Sequence, residues 1–176
     1  MKRSNAGILG VTGIVALAIT GCGGGGSTSS SSAASATTAS TPAAATTAAS
    51  GATTGIATVS VVHNSSLGSI LVAGPKQRTV YLFVADKGPA STCSGACAEV
   101  WPPVITTASP KATGGANTAD LGTITRSDGT KQVTYKGHPL YYYAGDGTSG
   151  GETSGQAISS FGAPWYVLTP SGSEVK

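Results

Sequence analysis

The chain carries one pattern twice, as Tyr-Leu-Phe-Val-Ala-Asp at residues 81–86 and as Tyr-Tyr-Tyr-Ala-Gly-Asp at residues 141–146. Both copies read Tyr-x-aromatic-x-x-Asp, and each is followed by a Gly- and Ser-rich stretch and then by a tryptophan, Trp101 or Trp165. A repeat of this kind marks a unit that buries its apolar face against its own copy. The pattern therefore predicts two similar β units that share one core.

Strand signals continue on both sides of the two motifs. β-Branched and aromatic residues are concentrated at residues 58–63, 70–73, 79–85, 121–126, 131–135, 139–144 and 165–169. Such runs are typical of strands. Turn residues separate them: residues 74–77 and 136–137 read as turns, and the Asp-Gly pair within residues 127–130 predicts a tight hairpin. These patterns favour antiparallel strands joined by short connections.

Only the short segment from Cys93 to Trp101 suggests a helical turn. Ser91 or Thr92 is the expected cap of that turn, and the prolines after Trp101 would end it. We therefore predict an all-β fold: a single small domain over residues 56–176. It is built from two similar antiparallel β repeats, and their approximate bounds are residues 66–105 and 121–168.

Alternation along a strand directs every second side chain to the same face. It places the first and third aromatic residues of each motif on the inner face: Tyr81, Phe83, Tyr141 and Tyr143. Tyr142 has the opposite parity, and we predict that it faces solvent. Together with Trp101 and with His138, which lies in a predicted turn, Tyr142 is our candidate for a binding surface.

Asp86 and Asp146 end the two motifs, at the point where each strand becomes a Gly-rich loop. A carboxylate in this position is expected to accept N–H groups from the turn that follows, at residues 87–88 or 147–148. The alternative is a pair of carboxylates for acid–base work on a glycan, or for Ca²⁺. Two equivalent aspartates in two equivalent repeats favour the structural role.

Residues 1–21 read as a lipoprotein signal peptide. Lys2 and Arg3 precede an apolar stretch that is too short for a permanent membrane span. Residues 19–22, Ile-Thr-Gly-Cys, have the order of a lipobox, so we predict that Cys22 is lipidated. Acyl chains contribute about 0.8 kcal/mol per buried CH₂, and the expected partner of Cys22 is therefore a membrane.

Residues 22–55 are predicted to be a disordered spacer, because Gly, Ser, Thr and Ala dominate and neither charged nor aromatic residues occur. Removing Lys2 and Arg3 from the ten basic side chains leaves eight, against seven acidic ones. This near-neutral balance argues against a nucleic-acid partner. The sequence also shows no cofactor loop and no nucleophile–base pair, so we predict no cofactor and no catalytic residue.

Cys93 and Cys97 are the two cysteines that remain when Cys22 carries lipid. Outside the cytoplasm, two such thiols are expected to form a structural disulfide. The same spacing on one helical turn also allows two thiolates to bind a soft metal such as Cu(I), or to exchange electrons. Copper-delivery proteins of the respiratory chain use such a Cys-x-x-x-Cys pair, follow it closely with proline and have a thioredoxin-like fold. Here the proline comes five residues later, at Pro102, and the βαβ pattern is absent.

The repeated motif resembles the secreted-repeat family of predicted lipoproteins, whose signature is Tyr-x-(Phe/Trp/Tyr)-x-x-Asp. The resemblance extends to residues 68–72, 93–97, 101–103, 137–141 and 161–165. It implies an extracytoplasmic lipoprotein of a bacterial cell envelope, and it names no reaction. We expect a non-catalytic binding or structural module whose partner is an envelope protein or a cell-wall glycan. The alternative is a redox or copper-handling accessory that acts through Cys93 and Cys97.

Overall fold

A computed structural model describes residues 55–176 of the chain. The predicted signal peptide, Cys22 and the spacer up to residue 54 lie outside the described residues. The described part is mostly β-structure with one short α-helix and one 3₁₀ turn, as predicted. Among these residues, no helix has the length and apolarity that crossing a membrane would require.

The chain forms eleven short strands in the described part. In chain order the elements are β1 (Thr58–Asn64), β2 (Gly68–Ala73), β3 (Arg78–Thr79), β4 (Tyr81–Phe83), α1 (Ala96–Val100), β5 (Ile105–Thr106), β6 (Lys111–Ala112), a 3₁₀ turn (Thr118–Asp120), β7 (Leu121–Thr125), β8 (Lys131–Tyr135), β9 (His138–Pro139), β10 (Ser159–Ser160) and β11 (Ala163–Val167).

Each repeat begins with an antiparallel hairpin. In the first repeat β1 pairs with β2, and β3 and β6 extend this sheet in the order β3-β2-β1-β6. The β1–β2 turn is closed by Asn64, whose Oδ1 accepts the N–H groups of Ser66 (2.9 Å) and Leu67 (3.0 Å). In the second repeat β7 pairs with β8, and β5 and β9 add to β8. The duplicated sequence therefore folds as duplicated hairpins.

The β7–β8 connection confirms the predicted hairpin turn. Asp128 Oδ1 accepts the N–H (2.9 Å) and Oγ1–H (2.6 Å) of Thr130. Gly129 has a φ of 81°, while Asp128 keeps a negative φ. The next turn, between β8 and β9, has positive φ at both Lys136 (47°) and Gly137 (82°), as a two-residue hairpin turn requires.

The two repeats exchange their last strands. β11, the end of the second repeat, pairs with the motif strand β4 of the first: Trp165 lies opposite Phe83 and Val167 opposite Tyr81. In the same way Pro103, after Trp101 of the first repeat, bridges to Tyr141 of the second motif.

The exchange continues one residue further along each last strand. Leu168 O accepts the N–H of Leu71 (2.9 Å), and Val104 O accepts that of Val133 (2.8 Å). Each motif segment is therefore joined to the last strand of the other repeat.

Both faces of the motif strands are buried, because each strand separates two cores. The aliphatic core consists of Ala57, Val59, Leu71, Ala73, Val80, Leu82, Val104, Val133, Tyr135, Leu140, Tyr142 and Leu168. The aromatic core consists of Ile70, Tyr81, Phe83, Cys93, Cys97, Trp101, Tyr141, Trp165 and Val167. Tyr81 and Tyr141 are fully buried, so their predicted inward orientation is confirmed.

Three local predictions are wrong. The strand predicted over residues 79–85 changes sheet between β3 and β4, and it ends at Phe83. The strand predicted over residues 139–144 is reduced to β9 and a bridge at Tyr141. Neither Ser91 nor Thr92 caps α1: its N-cap is Gly95, without a side-chain hydrogen bond. Both side chains are instead bound to the network around Asp86 described below.

Candidate functional site

The two motifs meet through a reciprocal pair of hydrogen bonds. The hydroxyl of Tyr81 donates to Asp146 Oδ2 at 2.6 Å, and the hydroxyl of Tyr141 donates to Asp86 Oδ2, also at 2.6 Å. The backbones of the two tyrosines are likewise joined twice, with Tyr81 N–H on Tyr141 O (2.8 Å) and Tyr141 N–H on Tyr81 O (3.0 Å). The first and last residues of each motif therefore bind across the repeats.

The same local turn places both aspartates. Asp86 N–H binds the carbonyl of Phe83 (3.0 Å), and Asp146 N–H binds that of Tyr143 (3.2 Å). This turn after the third motif residue ends the strand and swings the carboxylate back toward the other motif. The x-x spacer between the aromatic residue and the aspartate is therefore the length of one turn.

The second carboxylate oxygen closes the following loop. Asp86 Oδ1 accepts the N–H (2.8 Å) and hydroxyl (2.6 Å) of Thr92, and Asp146 Oδ1 accepts the N–H of Ser154 (2.8 Å). The prediction that residues 87–88 and 147–148 donate hydrogen bonds to these carboxylates is therefore wrong. The Oδ2 atom of each carboxylate points inward to the tyrosine of the other motif. The Oδ1 atom therefore binds a residue at the end of the loop that follows the motif, and not one at its beginning.

Burial sets the electrostatics of these pairs. Asp86 and Asp146 are only 8% and 7% exposed. Burial raises the pKa of Asp146, although the hydrogen bond from Tyr81 opposes this shift. The pKa values of Tyr81 and Tyr141 are raised well above 10, first by burial and then by the hydrogen bond to the partner carboxylate. The proton therefore stays on each tyrosine, and the tyrosines act as donors at neutral pH.

Arg126 distinguishes the Asp86 pair from the Asp146 pair. Its guanidinium is buried and donates to Ser91 Oγ (2.8 Å), Gln132 Oε1 (2.6 Å) and the carbonyl of Cys93 (2.6 Å). Ser91 Oγ lies 2.7 Å from the hydroxyl of Tyr141, so a polar chain links the arginine to the Asp86 pair. Asp128 supplies the opposite charge, with its Oδ2 3.8 Å from Nε of Arg126, and the polar chain supplies hydrogen bonds that a buried cation needs.

Sequence reasoning missed Arg126 and its partners. Arg126 ends β7 immediately before a polar turn, which is a position typical of a solvated side chain. Nothing in its neighbours along the chain indicates burial. Its acceptors come from β8 and from the loop before α1, and only the tertiary fold brings them together.

A stack of four aromatic rings fills the aromatic core. The ring centroids of Phe83 and Trp165 are 4.0 Å apart, those of Trp165 and Trp101 are 4.1 Å apart, and those of Trp101 and Tyr143 are 4.5 Å apart. Ser160 accepts both indole N–H groups, through Oγ from Trp101 (3.1 Å) and through its carbonyl from Trp165 (3.2 Å). The donors of both indoles are thus satisfied inside the fold.

The predicted binding surface of Tyr142, Trp101 and His138 does not form. Trp101 is fully buried, and Tyr142 is buried in the aliphatic core. The Arg78 guanidinium lies 4.5 Å from the Tyr142 ring centroid, and burial raises the pKa of Tyr142 to about 12. His138 is half-buried at the start of β9. The alternation of side chains along the strand predicted that Tyr142 would face solvent. The motif segment has a core on each of its two faces, so Tyr142 is buried as well.

Cys93 and Cys97 form a disulfide, with Cα atoms 5.2 Å apart. Both residues are buried in the aromatic core, beside the tryptophan stack. Within residues 55–176, no three His, Cys, Asp or Glu side chains are close enough together to hold a metal ion. The surface of the described part has shallow grooves that include one of about 440 Å³ between His63 and Lys76 and one of about 260 Å³ beside β7.

A family described as a secreted repeat of unknown function matches residues 61–105 and residues 122–169. No curated protein and no solved structure matches the chain. The two matched segments coincide with the two hairpin-and-motif units that exchange their last strands. The match confirms the prediction that the domain contains two repeats. The chain belongs to the family of secreted repeats of unknown function.

Proposed function

We propose that the protein is a lipid-anchored, extracytoplasmic module of a bacterial envelope, and that it binds or supports another envelope component without catalysing a reaction. Its family is one of secreted repeats, which supports the extracytoplasmic location. The lipobox that ends at Cys22 supports the anchor. A cell-wall glycan or an envelope protein is the partner class that this location brings within reach.

One observation carries the non-catalytic part of the proposal. The hydroxyl and carboxylate groups of the repeated motif are used within the fold, as the Tyr81–Asp146 and Tyr141–Asp86 pairs. Paired carboxylates in glycosidases flank a substrate cleft. Here Asp86 and Asp146 are buried, and neither is among the residues that line the two surface grooves.

The anchor is tested by replacing Cys22 with Ala in the full chain. The wild-type protein is expected in the detergent-rich phase after phase separation, because multiple acyl chains give stable membrane attachment. The Cys22→Ala protein is expected in the aqueous phase. Continued partitioning of the variant into detergent would contradict lipidation at Cys22.

Catalysis is tested with cell-wall glycan as the substrate and with Asp86→Asn and Asp146→Asn as matched variants. We expect no release of soluble sugar by the wild type above a heat-inactivated control. The proposal fails if the wild type turns the glycan over and if both variants lose that turnover while their circular dichroism is unchanged. Loss of the folded spectrum in the variants supports the structural role of the pairs.

The Cys93–Cys97 disulfide gives a second candidate, a redox or copper-handling accessory. A dithiol that works in exchange must reach its partner, whereas both of these cysteines are buried. A thiol count on the native protein separates the two functions. Two thiols that react only after denaturation and reduction favour the structural disulfide. Thiols released in the native protein by mild reductant, followed by Cu(I) uptake, favour the accessory.

A further inference from the structure

β7 is the outer strand of the β5-β8-β7 sheet. On the β8 side of this hairpin, Arg126 N–H binds the carbonyl of Thr130 (2.9 Å), and Lys136 N–H binds the carbonyl of Asp120 (2.7 Å). Hydrogen-bonded and non-hydrogen-bonded pairs alternate along an antiparallel ladder. The backbone N–H and C=O groups of the even-numbered residues of β7 therefore point toward β8. The N–H and C=O groups of Thr123 and Thr125 then point away from β8. They make no hydrogen bond to another residue of the described part.

The corresponding edge of the first repeat is occupied. There Lys111 N–H binds the carbonyl of Ala57 (2.9 Å), and Thr113 N–H binds that of Val59 (2.9 Å), so that β6 lies along β1. No strand within residues 55–176 lies along the outer edge of β7. One repeat thus shows an outer edge covered by an extended segment, and the other shows an open edge.

The residues of β7 lack the usual protection of an exposed edge. Natural edge strands carry charged side chains, proline or a bulge that prevents further pairing. β7 reads Leu-Gly-Thr-Ile-Thr, with no charge and no proline, and its register with β8 is regular over all five residues. Thr123 and Thr125 are also exposed. The edge is therefore accessible and has the composition of a strand that pairs.

We propose that β7 pairs in antiparallel fashion with β7 of a second copy of the chain, about a two-fold axis at Thr123. In this register Thr123 lies opposite the partner's Thr123, and Leu121 lies opposite the partner's Thr125. The outward groups then face one another: Thr123 N–H binds the carbonyl of the partner's Thr123, and Thr125 N–H binds that of the partner's Leu121. The two-fold axis repeats each bond.

The side chains favour a second copy as the occupant. The central pair is threonine with threonine, a favourable cross-strand pair, and the outer pairs join leucine with threonine. Because β7 carries no charge, two copies do not place like charges opposite each other. If Cys22 holds the chain on a membrane, as proposed above, anchoring also concentrates the copies.

The test uses the full chain in membranes, with Thr123→Cys as the reporter. Cα atoms of directly opposite residues in a hydrogen-bonded pair lie about 5.5 Å apart, which a disulfide can bridge. Thr148→Cys, in an exposed loop, is the matched control. After mild oxidation we expect covalent dimer from Thr123→Cys on the order of tenfold faster than from Thr148→Cys. The parent chain shows whether Cys22 itself cross-links.

A second measurement removes the pairing without a new thiol. Thr123→Lys places two like charges face to face at the two-fold axis, and Thr148→Lys is its control. In analytical ultracentrifugation of the detergent-solubilised full chain we expect dimers for the wild type and the control, and monomers for Thr123→Lys. Equal cross-linking of both cysteine variants, a monomeric wild type, or a dimer that survives Thr123→Lys overturns the proposal. None of these outcomes depends on whether the module has an envelope ligand.

Discussion

Trp101 and Trp165 stack face to face, with ring centroids 4.1 Å apart and planes within 1° of parallel. Each tryptophan comes from the end of one repeat, and each receives the edge of a motif tyrosine: Tyr81 on Trp101 at 5.4 Å, and Tyr141 on Trp165 at 5.1 Å. The indole pair therefore lies where the two repeats meet, and its contacts repeat on both sides. Mutations at equivalent positions should have similar effects.

The Tyr81–Asp146 bond should be a large local contribution to stability. Tyr81→Phe leaves a buried carboxylate oxygen without its donor, so we expect a loss of about 1.5–3 kcal/mol in the free energy of unfolding. Urea denaturation measures this loss. Tyr166→Phe is the control, because the Tyr166 hydroxyl makes no hydrogen bond to another described residue, and it should cost much less. Equal losses for the two variants would contradict the assigned role.

The equivalent Tyr141→Phe substitution should cost a similar amount in the other pair. Replacing both members, as in Tyr81→Phe with Asp146→Asn, should cost less than the sum of the single changes, because no buried charge then loses its partner. Strict additivity of the two single losses would show that the two side chains do not act as a pair.

Alkaline pH should unfold the domain before the buried tyrosines ionise. Burial raises the pKa values of Tyr81, Tyr141 and Tyr142, the last to about 12, from an ordinary value of 10.0. Above about pH 10 the unfolded chain loses protons that the folded chain keeps, so stability falls as pH rises. Tyrosinate absorbance near pH 10 should account for at most half of the six tyrosines. Ionisation of all six below the unfolding transition would contradict this prediction.

Neither repeat should fold alone. Residues 55–106 lack β11, which completes the sheet around β4, and residues 107–176 lack the segment that bridges to Tyr141. Circular dichroism and amide NMR dispersion of each half should show an unfolded chain, and mixing the halves should restore the native spectrum. A cooperative unfolding transition in either isolated half would show that strand exchange is dispensable.

Phe161 should be a site where stability can be gained. It lies at the β10–β11 turn with a φ of 54° and is 47% exposed. An ordinary L-residue pays about 1–2 kcal/mol for a left-handed conformation, and Asn-Gly is the preferred pair for this turn. Phe161→Asn should therefore raise the melting temperature by about 4 °C. Ile56→Asn, which removes an equally exposed apolar side chain at an ordinary φ, should give no increase.

Much of the architecture follows from the sequence alone. The Tyr-x-aromatic alternation and its duplication predict the inward tyrosines and the shared core. The Asp128–Gly129 pair predicts the β7–β8 hairpin. The short spacing of Cys93 and Cys97 predicts their disulfide. These features depend on neighbours in the chain or on an internal repeat, and both can be read from one sequence.

Contacts between distant segments could not be read in this way. The alternation of side chains predicts an exposed Tyr142 only if the strand has one buried face. The exchange of last strands buries both faces of this segment. The acceptor of each motif tyrosine is the aspartate of the other motif, which the spacing within one motif cannot reveal. Arg126 has no local sign of burial, because its acceptors come from β8 and from the loop before α1, which are distant from each other in the chain.

The exchange of last strands also bears on how the two repeats can change over evolution. The chain holds within one polypeptide the kind of symmetric contact that two subunits make in a homodimer. A change of length or register in β11 alters the sheet of the first repeat, not only that of the second. The two copies have already diverged at equivalent positions: Phe83 corresponds to Tyr143, and Thr92 corresponds to Ser154. Selection on each repeat therefore depends on the sequence of the other, and neither repeat is expected to work when it is moved alone into another protein.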